Sequence, residues 1–105
     1  MKFIFNLHIH NYKIMELKIE ALEKNSGILR ILVILKKTGE INFQQFIDIY
    51  HLYPNSLYPA IQRAKDLDLI DVRIETSSRP RKKMIRLTEK GDKIAEYISR
   101  VNDLL

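Results

Sequence analysis

The sequence predicts an α+β domain that is mostly α: a helix-turn-helix followed by a β-hairpin, with further helices on either side. Three observations carry this reading. Two short amphipathic stretches, FQQFIDIYHL and LYPAIQRAKDL, are separated by a turn at Pro54. Two alternating stretches, LIDVRIE and KMIRL, bracket the acid-free run TSSRPRKK. Strongly apolar helical patterns precede and follow this unit.

At 105 residues the chain is one domain, long enough to bury a real core. Its 46% apolar and 30% charged residues, with only three Gly and three Pro, are those of a globular protein without low-complexity segments or repeats. The absence of cysteine excludes a disulfide framework, a thiolate nucleophile and a zinc ribbon, and predicts a cytoplasmic setting. The opening MKFIFNLHIH is interrupted by Asn6, His8 and His10 well short of a signal peptide or a membrane span, so no membrane partner is expected.

Residues 1–14 form an N-terminal arm, either a short strand or a disordered segment: Phe3, Phe5, Leu7 and Ile9 alternate with polar residues, and Met15 offers an alternative start. Residues 15–105 are the domain proper. From Ile14 to Leu22 the good helix formers predict a helix whose apolar stripe is Ile14, Leu17, Ala21 and Leu22, although Met15, Leu17, Ile19 and Ala21 also fit a strand. Ser26 is placed to cap ILRILVILKK, a helix apolar almost all round and therefore central to the core, which Gly39 ends. Glu40 and Ile41 leave room for a very short strand.

Asn42 with Gln45 three residues on reads as a capping box opening the next helix, with Phe43, Phe46, Ile47 and Tyr50 as its buried stripe. After the turn at Pro54, Asn55 or Ser56 caps the following helix, and Pro59 falls in its first turn. The strands come next, with Ile70, Val72, Ile74, Ile85 and Leu87 inward. Thr88 caps a last helix whose first turn carries Glu89 and Asp92, carboxylates that complement the helix dipole. Helix, short strand, helix, helix, strand, loop, strand is the order of a winged helix-turn-helix, here with a two- to three-stranded β-wing and flanking N- and C-terminal helices.

Charge is distributed unevenly over this frame. The chain has 18 Lys and Arg against 13 Asp and Glu, a formal net of +5. Five of the basic residues (Arg79, Arg81, Lys82, Lys83, Arg86) lie within residues 76–86, and without them the remaining 13 face 13. An excess confined to one hairpin suits a polyanion, and duplex DNA is the expected partner. Arg79, Arg81, Lys82 and Lys83 of the wing are expected on the minor groove or the phosphates.

On a helical wheel Leu57, Ala60, Ile61, Ala64 and Leu67 share the core face of the second helix of the pair. Tyr58, Pro59, Gln62 and Asp66 then lie opposite, with Arg63 and Lys65 on the flanks. Gln62 suits adenine and Arg63 guanine, while Asn55, Ser56, Tyr58 and Lys65 complete the DNA-binding set, with Ser56, Tyr58 and Lys65 best placed for phosphates. Ile14, Leu17, Ile94, Ile98, Val101 and Leu105 exceed what so small a core can cover, and predict a homodimer interface.

At these residues a resemblance enters. SLYPAIQRAKDLDLI followed by RPRKKMIRLTEKG resembles the recognition helix and wing of PadR-type regulators, a branch of the winged-helix group that includes the MarR-type repressors. The likeness covers roughly the last fifty residues. It implies a dimeric DNA-binding transcription factor with the helix from Ser56 to Leu67 in the major groove and the wing from Thr76 to Lys83 beside it. Two positions depart from the pattern: Asp68 stands where the family usually closes the recognition helix with Gly, and Asn42-Phe43 where it usually has Gly-Tyr.

Other readings are weaker. His8 and His10 share one face of a strand but lack a third ligand, so no metal site and no cofactor are expected. Tyr12, Tyr50, Tyr53 and Tyr97 read as core or interface residues. No Ser/His/Asp or paired-carboxylate arrangement argues for an enzyme. The alternatives are a winged-helix protein-protein adaptor, which should carry compensating acidic charge in the wing, and a nonspecific architectural DNA-binding protein, which should spread its basic charge over several faces. The residues point to no particular small-molecule effector.

Overall fold

The computed structural model describes residues 16–25, 27–77 and 79–105. In chain order its elements are α1 (Glu20–Glu23), α2 (Ile28–Thr38), β1 (Glu40–Asn42), α3 (Phe43–Asp48), α4 (Pro54–Asp66), β2 (Ile70–Glu75), β3 (Lys82–Leu87) and α5 (Glu89–Leu104). This is the winged-helix order that the sequence predicts, mostly helical with one small sheet.

Ile28, Ile31, Leu32 and Leu35 recur at helical spacing, and all four are buried, which makes α2 the centre of the core. It packs along α5, through the buried Ala95, and against α4, through Leu57, Ala60 and Ala64. Phe46 from α3 and Ile85 from β3 complete the cluster. Each fully buried Leu, Ile or Phe side chain contributes about 1.5–3 kcal/mol of transfer free energy. Gly39 ends α2 at φ +88°, with its N–H donating to the Leu35 carbonyl.

Two of the caps legible in the sequence are made. Asn42 Oδ1 accepts from the Gln45 N–H at 2.9 Å, and Gln45 Oε1 accepts from the Asn42 N–H at 2.8 Å, a closed capping box on α3. Thr88 Oγ1 accepts from the Gly91 N–H at 2.9 Å at the start of α5.

The end of α3 departs from expectation. The helix stops at Asp48, so Tyr50 lies in the turn and is exposed, while Phe43 and Ile47 pack at the core's edge. His51 takes φ +58° there, and the Leu52 N–H bonds the Phe46 carbonyl at 3.0 Å, which seats Leu52 in the core and redirects the chain. Tyr53 and Tyr97, expected as core or interface residues, are likewise exposed on this chain, and Tyr12 lies outside the described residues.

The start of α4 also differs. Pro54 is its first residue rather than part of the preceding turn, because a fixed φ near −65° and a missing N–H suit the N1 position. The cap position is Tyr53, extended at φ −79°, ψ 135°. Asn55 and Ser56 are therefore in the first turn and do not cap, and Pro59 falls in the second turn, where it gives up the bond its N–H would make to the Asn55 carbonyl.

Helix α4 closes with a Schellman motif. Asp68 adopts φ +62°, its N–H donates to the Lys65 carbonyl at 2.9 Å, and the Leu69 N–H donates to the Ala64 carbonyl at 2.8 Å. A short polar side chain makes this left-handed position accessible without glycine.

The sheet is antiparallel in the order β1-β3-β2, with Ile41 opposite Ile85 and Val72 opposite Ile85 on its other side. Ile70 and Ile85 are buried and Val72 half-buried, but Ile74 is exposed, because the hairpin runs past the helices and both its faces meet solvent there.

At the other end of the domain, the helix expected from Ile14 to Leu22 shrinks to the single α-turn Glu20–Glu23. The bonds from Glu20, Ala21 and Leu22 back to Leu17, Lys18 and Ile19 are i to i−3, and Leu17 and Ile19 are exposed. Their alternate and helical spacings coincide, so no single clean apolar face holds a longer helix down. Ile14, Ser26 and the arm of residues 1–14 lie outside the described residues.

Candidate nucleic-acid interface

The amphipathic pattern of α4 divides its residues as the helical wheel expects. Leu57, Ala60 and Ala64 are buried, Ile61 and Leu67 half-buried, and Asn55, Tyr58, Pro59, Gln62, Lys65 and Asp66 exposed. Along the exposed face Gln62 Nε2 donates to Asp66 Oδ1 at 2.9 Å, an i, i+4 bond that orients the amide. Ser56 and Arg63 occupy the flanks and are half-buried. Arg63 Nε is shut off from solvent and has no hydrogen-bond partner among the described residues, so its reach outward is through the terminal nitrogens alone.

In the wing, the last β2-β3 pair is Glu75 with Lys82, so the loop is residues 76–81. Lys82 and Lys83 stand on β3, opposite Glu75 and Ile74, rather than at the tip. Among the described residues none of Arg79, Arg81, Lys82 and Lys83 is in an ion pair, and all four are exposed. Arg86, the fifth basic residue of the run, is 3.8 Å from Asp71 and belongs to the sheet rather than to the tip.

The base of the hairpin is held by ion pairs that the sequence pattern does not announce. Arg73 on β2 reaches over β3 to Glu40 on β1 with two bonds of 3.1 Å, and lies 3.5 Å from Glu75. The Arg73 hydrogen bond holds the Glu40 carboxyl below its usual range. Glu75 is held down first by the Ser77 hydroxyl, then by the Ser77 N–H and Arg73.

Helix and wing meet over one ring. The Phe43 and Tyr58 rings are tilted at 37° with centroids 4.5 Å apart, and Lys83 Nζ lies 5.9 Å from the Tyr58 centroid. Together with Asn42, Gln44 and Arg81 these residues line a groove of about 540 Å³ between α3, α4 and the wing. Sequence reasoning assigned Phe43 to the core stripe alone. Its position as the first residue after the capping Asn42, where the helix turns toward the α4 N-terminus, is the one local signal for its second role.

The proposed interface stripe divides along α5. Ile94 packs on the chain's own core and Ile98 is half-buried, whereas Tyr97, Val101, Leu104 and Leu105 are exposed. Between α1 and α5 lies an apolar cleft of about 650 Å³, lined by Ile19, Leu22, Leu69, Ile94, Tyr97 and Ile98. No group of three or more potential metal ligands occurs among the described residues, where no helix is long and apolar enough to cross a membrane.

Three-dimensional comparison places this arrangement among winged-helix proteins. The fold is similar to that of a SlyA-like transcription regulator from Listeria monocytogenes, with a TM-score of 0.70 at 19% identity over 99% of this chain and 71% of that one. A putative MarR family transcriptional regulator from the same organism, solved with a 26mer DNA, gives a TM-score of 0.69 at 19% identity over the same shares. A transcriptional regulator homologue from Pyrococcus horikoshii OT3 gives 0.64 at 20% identity over 80% of this chain and 87% of that one. No protein-family model and no curated protein sequence matches the chain. The fold is thus the winged helix of MarR- and SlyA-type regulators, and the likeness falls on the MarR side of the expected resemblance.

Proposed function

We propose that the chain is a sequence-specific, duplex-DNA-binding transcriptional regulator that works as a homodimer. The recognition helix α4 enters the major groove with Asn55, Tyr58, Gln62 and Lys65 outward and Ser56 and Arg63 on its flanks. The wing lays Arg79, Arg81, Lys82 and Lys83 along the minor groove or the phosphates. The observation that carries this reading is the meeting of α4, at its exposed Tyr58, with a wing whose four cations are exposed and in no ion pair among the described residues. That a putative MarR family regulator of similar fold was solved with a 26mer DNA supports DNA as the partner.

In this role the chain's residues bind and read, and none is asked to do covalent chemistry. Gln62 can offer adenine an acceptor and a donor once its amide shares or gives up the Asp66 bond, and Arg63 can present its terminal nitrogens to guanine. The exposed Tyr97, Val101 and Leu104 support pairing of two α5 helices about a two-fold axis, which would set two recognition helices about 34 Å apart, one turn of DNA. Selection from random duplexes at two salt concentrations tests the proposal. Recovery of a palindromic consensus is expected; recovery of none, with equal binding to all duplexes or to no duplex, would overturn it.

A further inference from the structure

We propose that Tyr58 is a positioning residue that fixes the wing against the recognition helix through its ring, rather than a phosphate ligand acting through its hydroxyl. The inference rests on the DNA-binding reading for its purpose but not for its geometry. Tyr58 is 57% exposed, yet two groups from other elements lie against its ring. Phe43 from α3 packs against the ring at 4.5 Å, and Lys83 from β3 brings its ammonium to 5.9 Å from the centroid.

Residues 43, 58 and 83 come from the three elements that form the groove beside the wing, so this one ring joins both helices of the helix-turn-helix to the hairpin. The need for such a tie follows from the sheet. Among the described residues of the hairpin, Val72 and Ile85 belong to the core cluster or pack against it, whereas Ile74 farther along is exposed, so the outer part of the hairpin lies outside the core. A wing free to swing would lose entropy each time it bound a backbone, whereas a wing already fixed loses little.

The consequence is a specific separation of ring from hydroxyl. Tyr58→Phe keeps the ring, its stacking and its attraction for Lys83; Tyr58→Leu keeps bulk and removes the π face; Lys83→Ala keeps the ring and removes the cation. Backbone order parameters for Arg79, Arg81, Lys82 and Lys83 of the DNA-free protein, measured by ¹⁵N relaxation, should be the same in the wild type and Tyr58→Phe. They should fall toward about 0.6 in Tyr58→Leu, with Lys83→Ala in between. Equal order in all four proteins, or loss of order in Tyr58→Phe, would overturn the proposal.

With duplex DNA, Tyr58→Leu should weaken binding about three- to tenfold, and Tyr58→Phe should weaken it by clearly less than Tyr58→Leu does. On a Lys83→Ala background the loss caused by Tyr58→Leu should shrink, because the tie is already cut. Tyr58→Phe losing as much as Tyr58→Leu would make the hydroxyl a direct ligand and overturn the positioning role. If the wild type binds no duplex, the functional reading fails while the relaxation experiment still decides the tie.

Discussion

The backbone of Gly91 in α5 lies so close to the carbonyl of Leu69 that a Cβ at position 91 would overlap that oxygen, and the carbonyl carbon and Cα of Leu69 are scarcely farther. Around this contact the end of α4 is bound to the start of α5. The Thr88 N–H donates to the Leu69 carbonyl at 3.0 Å, the Thr88 hydroxyl to the Asp68 carbonyl at 2.7 Å, and Lys90 Nζ to the Leu67 carbonyl at 3.0 Å. The angle at which α4 leaves the core is therefore set by the helix that follows the hairpin.

Gly91→Ala should destabilise the domain even though helix propensity alone argues the reverse. Alanine in a helix interior is favoured over glycine by about 1 kcal/mol. Against this stands a clash with the backbone of Leu69, whose carbonyl carries one of the bonds just described, and overpacking of this kind costs about 1–3 kcal/mol before any bond is lost. The steric contribution wins, and a drop in melting temperature of at least about 5 °C is expected for a domain this size. A thermal melt in which Gly91→Ala matches or exceeds the wild type would show that the two helices can part without cost.

The parts of this architecture that are legible in the sequence are those decided locally. Asn42 with Gln45, and Thr88 with Gly91, form caps within four residues, so type and spacing suffice. The four apolar positions that carry α2 into the core are likewise a matter of period. Pro54 misleads because proline suits a turn and an N1 position equally, and the choice depends on Tyr53 being extended. Ile74 misleads because alternation gives the face of a strand but not where the core beneath it ends.

The interface divides the same way. Its exposed face on α4 follows from the wheel, but the Phe43, Tyr58 and Lys83 cluster and the Arg73 bonds to Glu40 join residues 15 to 33 positions apart or more, and only the folded register brings them together. The terminal stripe is continuous in sequence yet split in space, since Ile94 serves the chain's own core.

Wing and helix should fail in different ways when altered. Lys82→Ala with Lys83→Ala should weaken binding to all duplexes alike and flatten the salt dependence, because these side chains meet backbone charge. For a wild-type dimer neutralising about six to ten phosphates, affinity should fall by roughly three to five decades between about 50 and 200 mM salt. Arg63→Ala should instead cost about 1–3 kcal/mol and relax preference at one base pair. Titrations of a selected site and its single-base variants separate the two, and equal loss of discrimination in both mutants would mean that reading and positioning are assigned to the wrong residues.

The base of the hairpin should respond to acid. Arg73 holds Glu40 below the usual glutamate range, and Ser77, with Arg73 behind it, does the same for Glu75. A carboxylate whose folded value is depressed stabilises the fold fully above its unfolded value, about 4.3, and loses that contribution as pH falls through the lower folded value. Both pairs are solvent-exposed, so the change is expected in the hairpin rather than as global unfolding. Followed by NMR at the Arg73 side chain and the Ser77 amide, the titration midpoints should lie below about 4.3. Glu40→Gln should reduce the Arg73 transition to the part owed to Glu75 and leave that of Ser77; midpoints at or above the ordinary value would contradict the assignment.

Dimerisation should depend on the exposed end of α5 and leave its buried part untouched. Removing everything after Lys93 would delete Ala95, fully buried, and Ile94, packed on the core, so such a chain would lose its fold along with any interface. Val101 and Leu104 offer a cleaner test, since they are 52% and 86% exposed and lie on the last turns of the helix, clear of the α2 contact made by Ala95. Burying such a side chain across an interface stabilises by about 1.5–3 kcal/mol, and a two-fold axis uses each position twice. Val101→Glu with Leu104→Glu should therefore raise the dimer dissociation constant by at least about two decades. Light scattering at micromolar concentration should find the wild type dimeric and the double variant monomeric, with unchanged melting of secondary structure and affinity for a full palindrome reduced to that for a half-site. A wild-type chain that is monomeric under these conditions, or a double variant that remains dimeric, would move the interface away from this end of α5.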